Sequence, residues 1–288
     1  MSLINLQRLS EYRSRTYFTA PGLQLTSIEA ALDFVNQRGF VFFWPIKGVE
    51  LPSLWAAVAG DRPVPDEHDD PAHITWGWKD DSLGKKMWYY GRVLKHRNAF
   101  ISLDLLPYFY ALSPNYGEPE EDYLIQYQQG LLRPETKWVY EALLNEGPMD
   151  TLSLRKEAHL SSPTSDGRFN RAIDDLQLDF RILPIGIAPV GAWKYAFIYD
   201  CTHRHFPDVF ERVTTLNLTE PASRQHLAAI YFRSVGAARP IDAARLFNWR
   251  PPDTQKALAA LVEQGLVVPA SHPQLKEECL ALPELLET

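Results

Sequence analysis

The order of predicted elements in the second half of the chain restricts its fold more than any other sequence feature. Between 131 and 215, Pro134 opens an amphipathic helix at a favoured first-turn position, and a short helix follows. A third helix has apolar residues at i, i+3, i+4 and i+7, beginning at Phe169. Two strands follow at 181–188 and 193–200, and the second alternates aromatic residues with others. This segment therefore has the order helix, helix, helix, hairpin.

The last segment, 216–288, repeats this order about 85 residues further along the chain. A helix is predicted at 220–234, a short helix at 241–247, and two prolines then open a third helix with helical apolar spacing. A strand follows at 266–268, and 280–282 can pair with it. The two segments share a pattern rather than a sequence, which indicates a tandem array.

A short second helix, a longer third helix and a hairpin are typical of winged-helix domains. The sequence thus predicts an α+β, mainly α fold of tandem winged-helix (helix-turn-helix plus β-wing) domains, with domains at 131–215 and 216–288. The segment 1–130 is less regular, with a predicted helix at 28–37 and an apolar run at 40–44. We expect an aromatic-rich N-terminal domain there, and a degenerate winged helix is one alternative for it.

Composition places the chain among folded proteins and removes several classes. Its 288 residues are 45% hydrophobic and 23% charged, and no apolar run is long enough to span a membrane. The N-terminal residues lack the apolar stretch of a signal peptide. The two cysteines, Cys201 and Cys279, exclude a disulfide framework. We therefore expect a cytoplasmic protein with no membrane partner.

The formal net charge of −7 argues against indiscriminate binding to nucleic acid, although it allows a local basic face. The third helix of a winged helix can enter the major groove of DNA. The outer faces of the predicted third helices offer Arg168 and Arg171 in one segment and Lys256 in the other, beside acidic residues. Both faces are close to neutral, so these helices either contact DNA or only pack against protein.

A second candidate surface lies between 76 and 97, where cations are interleaved with tryptophans and tyrosines. Cations beside aromatic rings suit the phosphates and unstacked bases of nucleic acids. The alternative is a solvated run of charges over an aromatic core. The candidate DNA-binding residues of this stretch are Lys79, Lys85, Lys86, Arg92, Lys95 and Arg97.

The third segment, above all 226–267, resembles the AlkZ/YcaQ-type tandem winged-helix DNA glycosylases, and the chain looks closest to a divergent AlkZ-related branch. Members of this family unhook DNA crosslinks or excise alkylated purines without a metal. The resemblance implies a tandem winged-helix fold, no cofactor, and double-stranded or damaged DNA as the partner.

The family's catalytic motif is Gln-Φ-Gln or Gln-Φ-Asp, where Φ is apolar, and it is commonly followed by a pair such as Pro-Ile. Aligned before Pro45 and Ile46, its two polar positions fall on Phe42 and Trp44, which cannot orient or deprotonate water. A second family stretch, aromatic-Trp-Ala-His-Glu, matches Trp76, but its His falls on Trp78 and its Glu on Lys79. On this alignment the fold is shared and the known chemistry is not.

A relocated catalyst is an alternative. Glu50 could orient water and Lys47 could form a Schiff base with an abasic sugar, whereas the simpler interpretation of the two residues is a surface ion pair. The pocket of such an enzyme would stack a base against aromatic walls. The candidate pocket-lining residues are Phe42, Trp44, Trp76 and Trp78.

Metal and nucleotide chemistry find little support. Cys201, His203 and His205 would share one face of a strand, but a structural zinc site needs a fourth ligand. The charged loop 67–70 is more typical of a solvated surface. Phosphate-binding, dinucleotide-binding and serine-hydrolase motifs are absent from the sequence. We therefore expect no metal and no cofactor.

Three functions remain open at this point. The first is DNA binding without glycosylase chemistry, the second is a glycosylase with a relocated catalyst, and the third is a module that binds a protein partner or a small ligand.

Overall fold

The computed structural model describes residues 2–67, 69–115, 117–275 and 277–287, and it shows a mixed helix and strand fold, as predicted. The N-terminal part contains β1 (Ser2–Leu3), α1 (Leu6–Thr16), α2 (Ile28–Arg38), β2 (Phe40–Phe42), α3 (Leu54–Ala59), α4 (Ile74–Ser82), β3 (Tyr89–Leu94), β4 (Arg97–Ile101), α5 (Leu106–Tyr110) and α6 (Asp122–Gln128). The middle part contains α7 (Pro134–Glu146), β5 (Met149–Asp150), α8 (Thr151–Glu157), α9 (Asp166–Leu178), β6 (Ile182–Ala188), β7 (Ala196–Cys201), α10 (Thr202–His205) and α11 (Val209–Thr215). The C-terminal part contains α12 (Glu220–Val235), β8 (Ala237–Ala238), α13 (Pro240–Phe247), α14 (Pro251–Glu263), β9 (Val268–Ser271) and β10 (Glu278–Ala281).

One order of elements occurs three times: a helix, a strand, two helices and two strands. It runs from α2 to β4, from α7 to β7 and from α12 to β10. In each case the last strand lies in the middle of the sheet, giving the orders β2-β4-β3, β5-β7-β6 and β8-β10-β9. The N-terminal segment therefore has the same topology as the two segments in which the sequence pattern is clear.

A glycine ends the first helix of each repeat. Gly39, Gly147 and Gly236 all have positive φ, and each donates its N–H to the carbonyl four residues earlier. Glycine suits this conformation because it has no Cβ. The turn lets the chain leave the helix and enter the first strand at once.

The first sheet lies between two apolar cores because its residues alternate in direction. Phe40 and Phe42 pack with Leu227 and Tyr231 of α12, while Val41 on the opposite face packs in a cluster around α2 and α3. The middle segment has a separate core formed by α7, α9 and the β6–β7 hairpin. The first and third segments therefore share one core, to which the middle segment contributes Phe180, Leu183 and Phe206.

The start of the chain lies against the third segment. β1 pairs in parallel with the free edge of β9, and Leu9 of α1 packs in the same cluster as Leu285. Arg13 of α1 donates hydrogen bonds to the carbonyls of Val235 and Ala237, both at 2.9 Å. β1 thus extends the third sheet and α1 packs beside it, although the sequence analysis assigned this stretch to the domain 1–130.

Two strands differ from their predictions. The β6–β7 turn extends further than expected, so Trp193 lies in the turn rather than in the strand with Phe197. β9 begins at Val268 instead of at 266. Within the described ranges, no helix has the length and apolar content needed to cross a membrane.

Candidate functional site

The loop between β2 and α3 carries the residues that the sequence singled out, and its two ends are fixed. Phe42 donates its N–H to the carbonyl of Pro52 at 2.9 Å, and Trp55 donates to the carbonyl of Phe43 at 3.0 Å. Phe42 and Phe43 are fully buried. Between these two fixed ends the loop projects outward, and Lys47 and Glu50 are exposed.

One side of this loop borders a cleft of about 540 Å³, which we name the α1 cleft. It lies between α1, the β2–α3 loop and the segment joining β9 to β10. Its polar lining includes Arg13, Tyr17, Arg62 and His272. Burial raises the pKa of the Tyr17 phenol and lowers the pKa of the His272 imidazole. Both rings are therefore neutral near pH 7, and the cations that line the cleft are its arginines, of which Arg13 pairs with Glu50 and Arg62 with Asp70.

Glu50 lies at the edge of the α1 cleft. Its carboxylate is 3.0 Å from Arg13 Nη1, and the Tyr17 hydroxyl donates to it at 3.4 Å. Arg13, not Lys47, is thus the cation that pairs with Glu50. The sequence-based alternative of a Lys47–Glu50 ion pair is corrected accordingly, because α1 folds back over the loop. The carboxylate side chain is 52% exposed, so it can accept hydrogen bonds from water or a ligand.

The other side of the loop borders an open recess of about 570 Å³, which we name the aromatic recess. Trp44 and Trp76 line it, with their ring centroids 6.0 Å apart and their planes at 63°. Trp44 in turn stacks on the buried Trp55 at 5.7 Å. Of the four predicted pocket-lining residues, these two border a common space. Phe42 and Trp78 are core residues, because Phe42 in β2 faces the core that includes α12 and Trp78 in α4 packs in the cluster around α2 and α3.

Lys79 lies in an aromatic cage rather than on a surface. Its Nζ donates to the Tyr195 hydroxyl at 2.6 Å and is 2.6 Å from the Asp80 carboxylate. The rings of Trp76 and Phe197 lie 4.8 and 4.9 Å from Nζ. The side chain has no exposed surface, and burial lowers its pKa. This corrects the expectation that Lys79 contacts DNA: a caged ammonium joins α4 to the β6–β7 hairpin and cannot reach a phosphate.

The other candidate cations of the first segment divide into paired and unpaired groups. Arg92 pairs with Asp174 of α9 at 2.7 Å. Lys85 and Lys86 are exposed in the turn between α4 and β3. Lys95 and Arg97 lie at the β3–β4 turn. Among the described residues, no carboxylate pairs with these last four cations, so their charge is available to a ligand.

The third helices present fewer free cations than their sequences suggest. In α9, Arg168 pairs with Glu135 at 3.1 Å, whereas Arg171 is exposed and makes no ion pair with a described residue. The same helix docks on β3 through Gln177, whose side-chain oxygen accepts from the Arg92 N–H. In α14, Lys256 is exposed. In α9 the exposed residues therefore lie in the N-terminal half, and in α14 Lys256 remains open to a partner.

Comparison with known proteins decides the family. The sequence model of the AlkZ-related family matches residues 25–230, which is most of the chain. The chain belongs to the AlkZ-related family.

This AlkZ-related chain is also similar in structure to the DNA glycosylase AlkZ of Streptomyces sahachiroi. The TM-score is 0.60, the sequence identity is 11%, and the match covers 98% of this chain and 71% of that one. At this identity the likeness shows a shared fold. No curated protein matches the sequence.

The candidate metal ligands of this AlkZ-related chain do not converge. β7 ends at Cys201 and α10 begins at Thr202, so His203 and His205 do not share a strand face with the cysteine. Burial raises the pKa of the Cys201 thiol to about 12. In the loop 67–70, Asp70 is bound by both terminal nitrogens of Arg62, and His68 lies outside the described residues. Across the described ranges, no cluster of three such side chains is placed to hold a metal ion.

Two features of the site escaped the sequence analysis. Arg13 and Tyr17 reach Glu50 from a helix more than thirty residues away, and no local pattern signals such a contact. Trp193 is 91% exposed at the β6–β7 turn. Gly191 is the turn signal nearest to it, whereas the positive φ of Lys194 has no counterpart in the residue type and is known only from the structure.

Proposed function

We propose that this AlkZ-related chain is a DNA-binding protein made of three tandem winged-helix units, corresponding to α2–β4, α7–β7 and α12–β10. The observation that carries the proposal is the threefold recurrence of one element order with one sheet order. That arrangement is the one in which a third helix and a hairpin face DNA. The fold shared with a protein named as a DNA glycosylase supports the same conclusion.

Free cations supply the proposed contact surface. Lys85 and Lys86 follow the third helix of the first unit, and Lys95 and Arg97 form the tip of its hairpin. Arg171 and Lys256 lie on the third helices of the other units. Each phosphate neutralised by such a cation releases bound counterions, so binding through this set depends steeply on salt.

We propose further that the family's glycosylase reaction is not performed through its usual motif. Phe42 is a buried hydrocarbon, and the indole of Trp44 can donate a hydrogen bond but cannot accept a proton. Neither can activate water where the resemblance places the catalytic groups.

The test is fluorescence anisotropy of a labelled duplex over a salt series, with the wild-type chain and Lys85→Glu/Lys86→Glu. We expect the double variant to bind at least tenfold more weakly at low salt, with a shallower dependence of log affinity on log salt. Lys156→Glu/Arg245→Glu is the matched control, because it changes net charge equally at exposed positions outside the proposed surface. Equal losses in both variants would refute the assigned surface, and no binding by wild type would refute DNA binding.

A second candidate, a glycosylase that uses Glu50, is favoured by the α1 cleft. Arg13 and Tyr17 hold the Glu50 carboxylate at the edge of a cavity where it could orient water. If this is the activity, release of a methylated purine from a duplex will fall at least a hundredfold in Glu50→Gln. The exposed Lys47 is tested separately with Lys47→Ala. If Lys47 forms a Schiff base with the abasic sugar, this variant will no longer be trapped covalently on DNA by borohydride. If wild type releases no methylated base, the glycosylase proposal is refuted and the DNA-binding proposal is unaffected.

A further inference from the structure

One side chain of the molecule is exposed in a way that folding does not explain. Trp193 is 91% exposed, and no other large apolar side chain among the described residues is exposed as much. Single exposed apolar side chains are common on protein surfaces, but an indole this exposed packs against almost nothing in its own chain. Trp193 therefore contributes little to the core, and its ring is accessible to a partner.

The turn that carries Trp193 has a defined shape. Gly191 and Lys194 both have positive φ, and Lys194 donates its N–H to the carbonyl of Gly191 at 3.1 Å. The β6–β7 hairpin below it is paired in antiparallel register from Ile182↔Cys201 to Ala188↔Ala196. The indole therefore stands at the end of an ordered hairpin.

That hairpin is also held at its side by the first unit. Tyr195, two residues from Trp193, accepts a hydrogen bond from Lys79 and donates one to Asp80 at 2.8 Å. Nearer its base, the α4–β3 turn approaches so closely that a Cβ on Gly84 would lie 2.8 Å from the carbonyl of Ile185. An anchored support lowers the entropic cost of using the exposed ring to bind a partner.

Lys194, next to Trp193, supplies the charge of the tip itself, because no other residue between 182 and 198 carries a formal charge. At the side of the hairpin, Lys79 and Asp80 carry opposite charges and lie 2.6 Å apart, so they offset each other. An aromatic ring beside a cation complements a nucleic acid, since the ring can stack on a base while the cation contacts a phosphate.

We propose that Trp193 is a stacking wedge that occupies an unpaired position in duplex DNA, with Lys194 contacting a flanking phosphate. This rests on the proposed DNA-binding function and adds a preference for interrupted duplexes. In an intact duplex the ring must first separate stacked bases, whereas a gap or an abasic site offers that space with little unstacking.

The experiment compares two labelled duplexes, one intact and one with a single abasic-site analogue, by fluorescence anisotropy. We expect wild type to bind the abasic duplex more tightly. Trp193→Ala should lose roughly tenfold on that duplex and little on the intact one, and Trp193→Phe should retain most of the preference. Trp138→Ala, at another exposed tryptophan, is the matched control and should bind both like wild type.

The outcomes separate the two proposals. If wild type binds both duplexes equally and Trp193→Ala is unchanged, the wedge is refuted while DNA binding stands. If wild type binds neither duplex, DNA binding fails and the wedge fails with it. Because the ring is exposed, Trp193→Ala should keep the wild-type melting temperature, so a loss of affinity reports the contact itself.

Discussion

At the scale of single residues, burial determines which charged groups of this protein are available. Asp179, just after α9, illustrates the effect. Burial raises the pKa of its carboxyl to about 6; Asp175 acts in the same direction and Arg181 opposes them. The folded protein therefore holds this proton more tightly than the unfolded chain, where an aspartate has a pKa of about 4. The stability that results is complete below about pH 4 and is lost as the pH rises through about 6.

We expect Asp179→Asn to remove this loss. At pH 7.5 the variant should be more stable than wild type by about 1–2 kcal/mol, after allowance for the partial solvation of the carboxyl. At pH 4.5 the difference should shrink towards zero. Urea unfolding at both pH values measures it. Asp33→Asn, at an exposed aspartate of α2, should change stability by less than about 0.5 kcal/mol at either pH. A difference for Asp179→Asn that does not vary with pH would contradict the assignment.

At the scale of elements, the helix-ending glycines explain how the repeats fit together. All three need positive φ, but only two are crowded. A Cβ on Gly39 would lie 2.9 Å from Ile230 Cγ2 and closer still to Leu105, whereas one on Gly147 would meet nothing within 4 Å. Gly39 thus combines a backbone requirement with the close approach of α12 to the first unit.

This difference predicts unequal costs for the same substitution. Gly39→Ala should lower the free energy of unfolding by about 3 kcal/mol, because strain at positive φ adds to a clash in a packed core. Gly147→Ala carries the backbone strain without the clash and should cost about 1 kcal/mol. Urea titrations of the two variants give the comparison. Equal costs would mean that the packing around Gly39 relaxes freely.

At the scale of the whole molecule, an acidic protein keeps a set of free cations by pairing the others internally. Arg13, Arg92 and Arg168 are each held by a carboxylate, and Lys79 is enclosed by rings. Lys85, Lys86, Lys95 and Arg97 all belong to the turns of the first unit. The net charge of −7 therefore does not describe the local charge around these turns, since exposed charges more than a Debye length apart are largely screened from each other.

The sequence alone determined the local elements and their order. Helices predicted at 28–37, 220–234 and 241–247 are confirmed within about two residues, because apolar periodicity, caps and glycine stops are local signals. The mixed helix and strand content and the family were predicted as well. In the N-terminal segment the same signals were weaker, since β2 is buried on both faces and shows no alternation.

Tertiary structure decided which side chains are available to a partner. A lysine between tryptophans has the same local sequence whether it is solvated or caged. Lys79 is enclosed because Tyr195 and Phe197 of the β6–β7 hairpin pack against it. Likewise, Glu50 forms its ion pair with Arg13 rather than with Lys47, because β1 pairs with β9 of the third sheet and α1 follows it. Burial and ion pairing depend on residues far apart in the chain, and a periodic pattern carries no information about those contacts. Local propensity therefore determined the elements, and long-range packing determined the site.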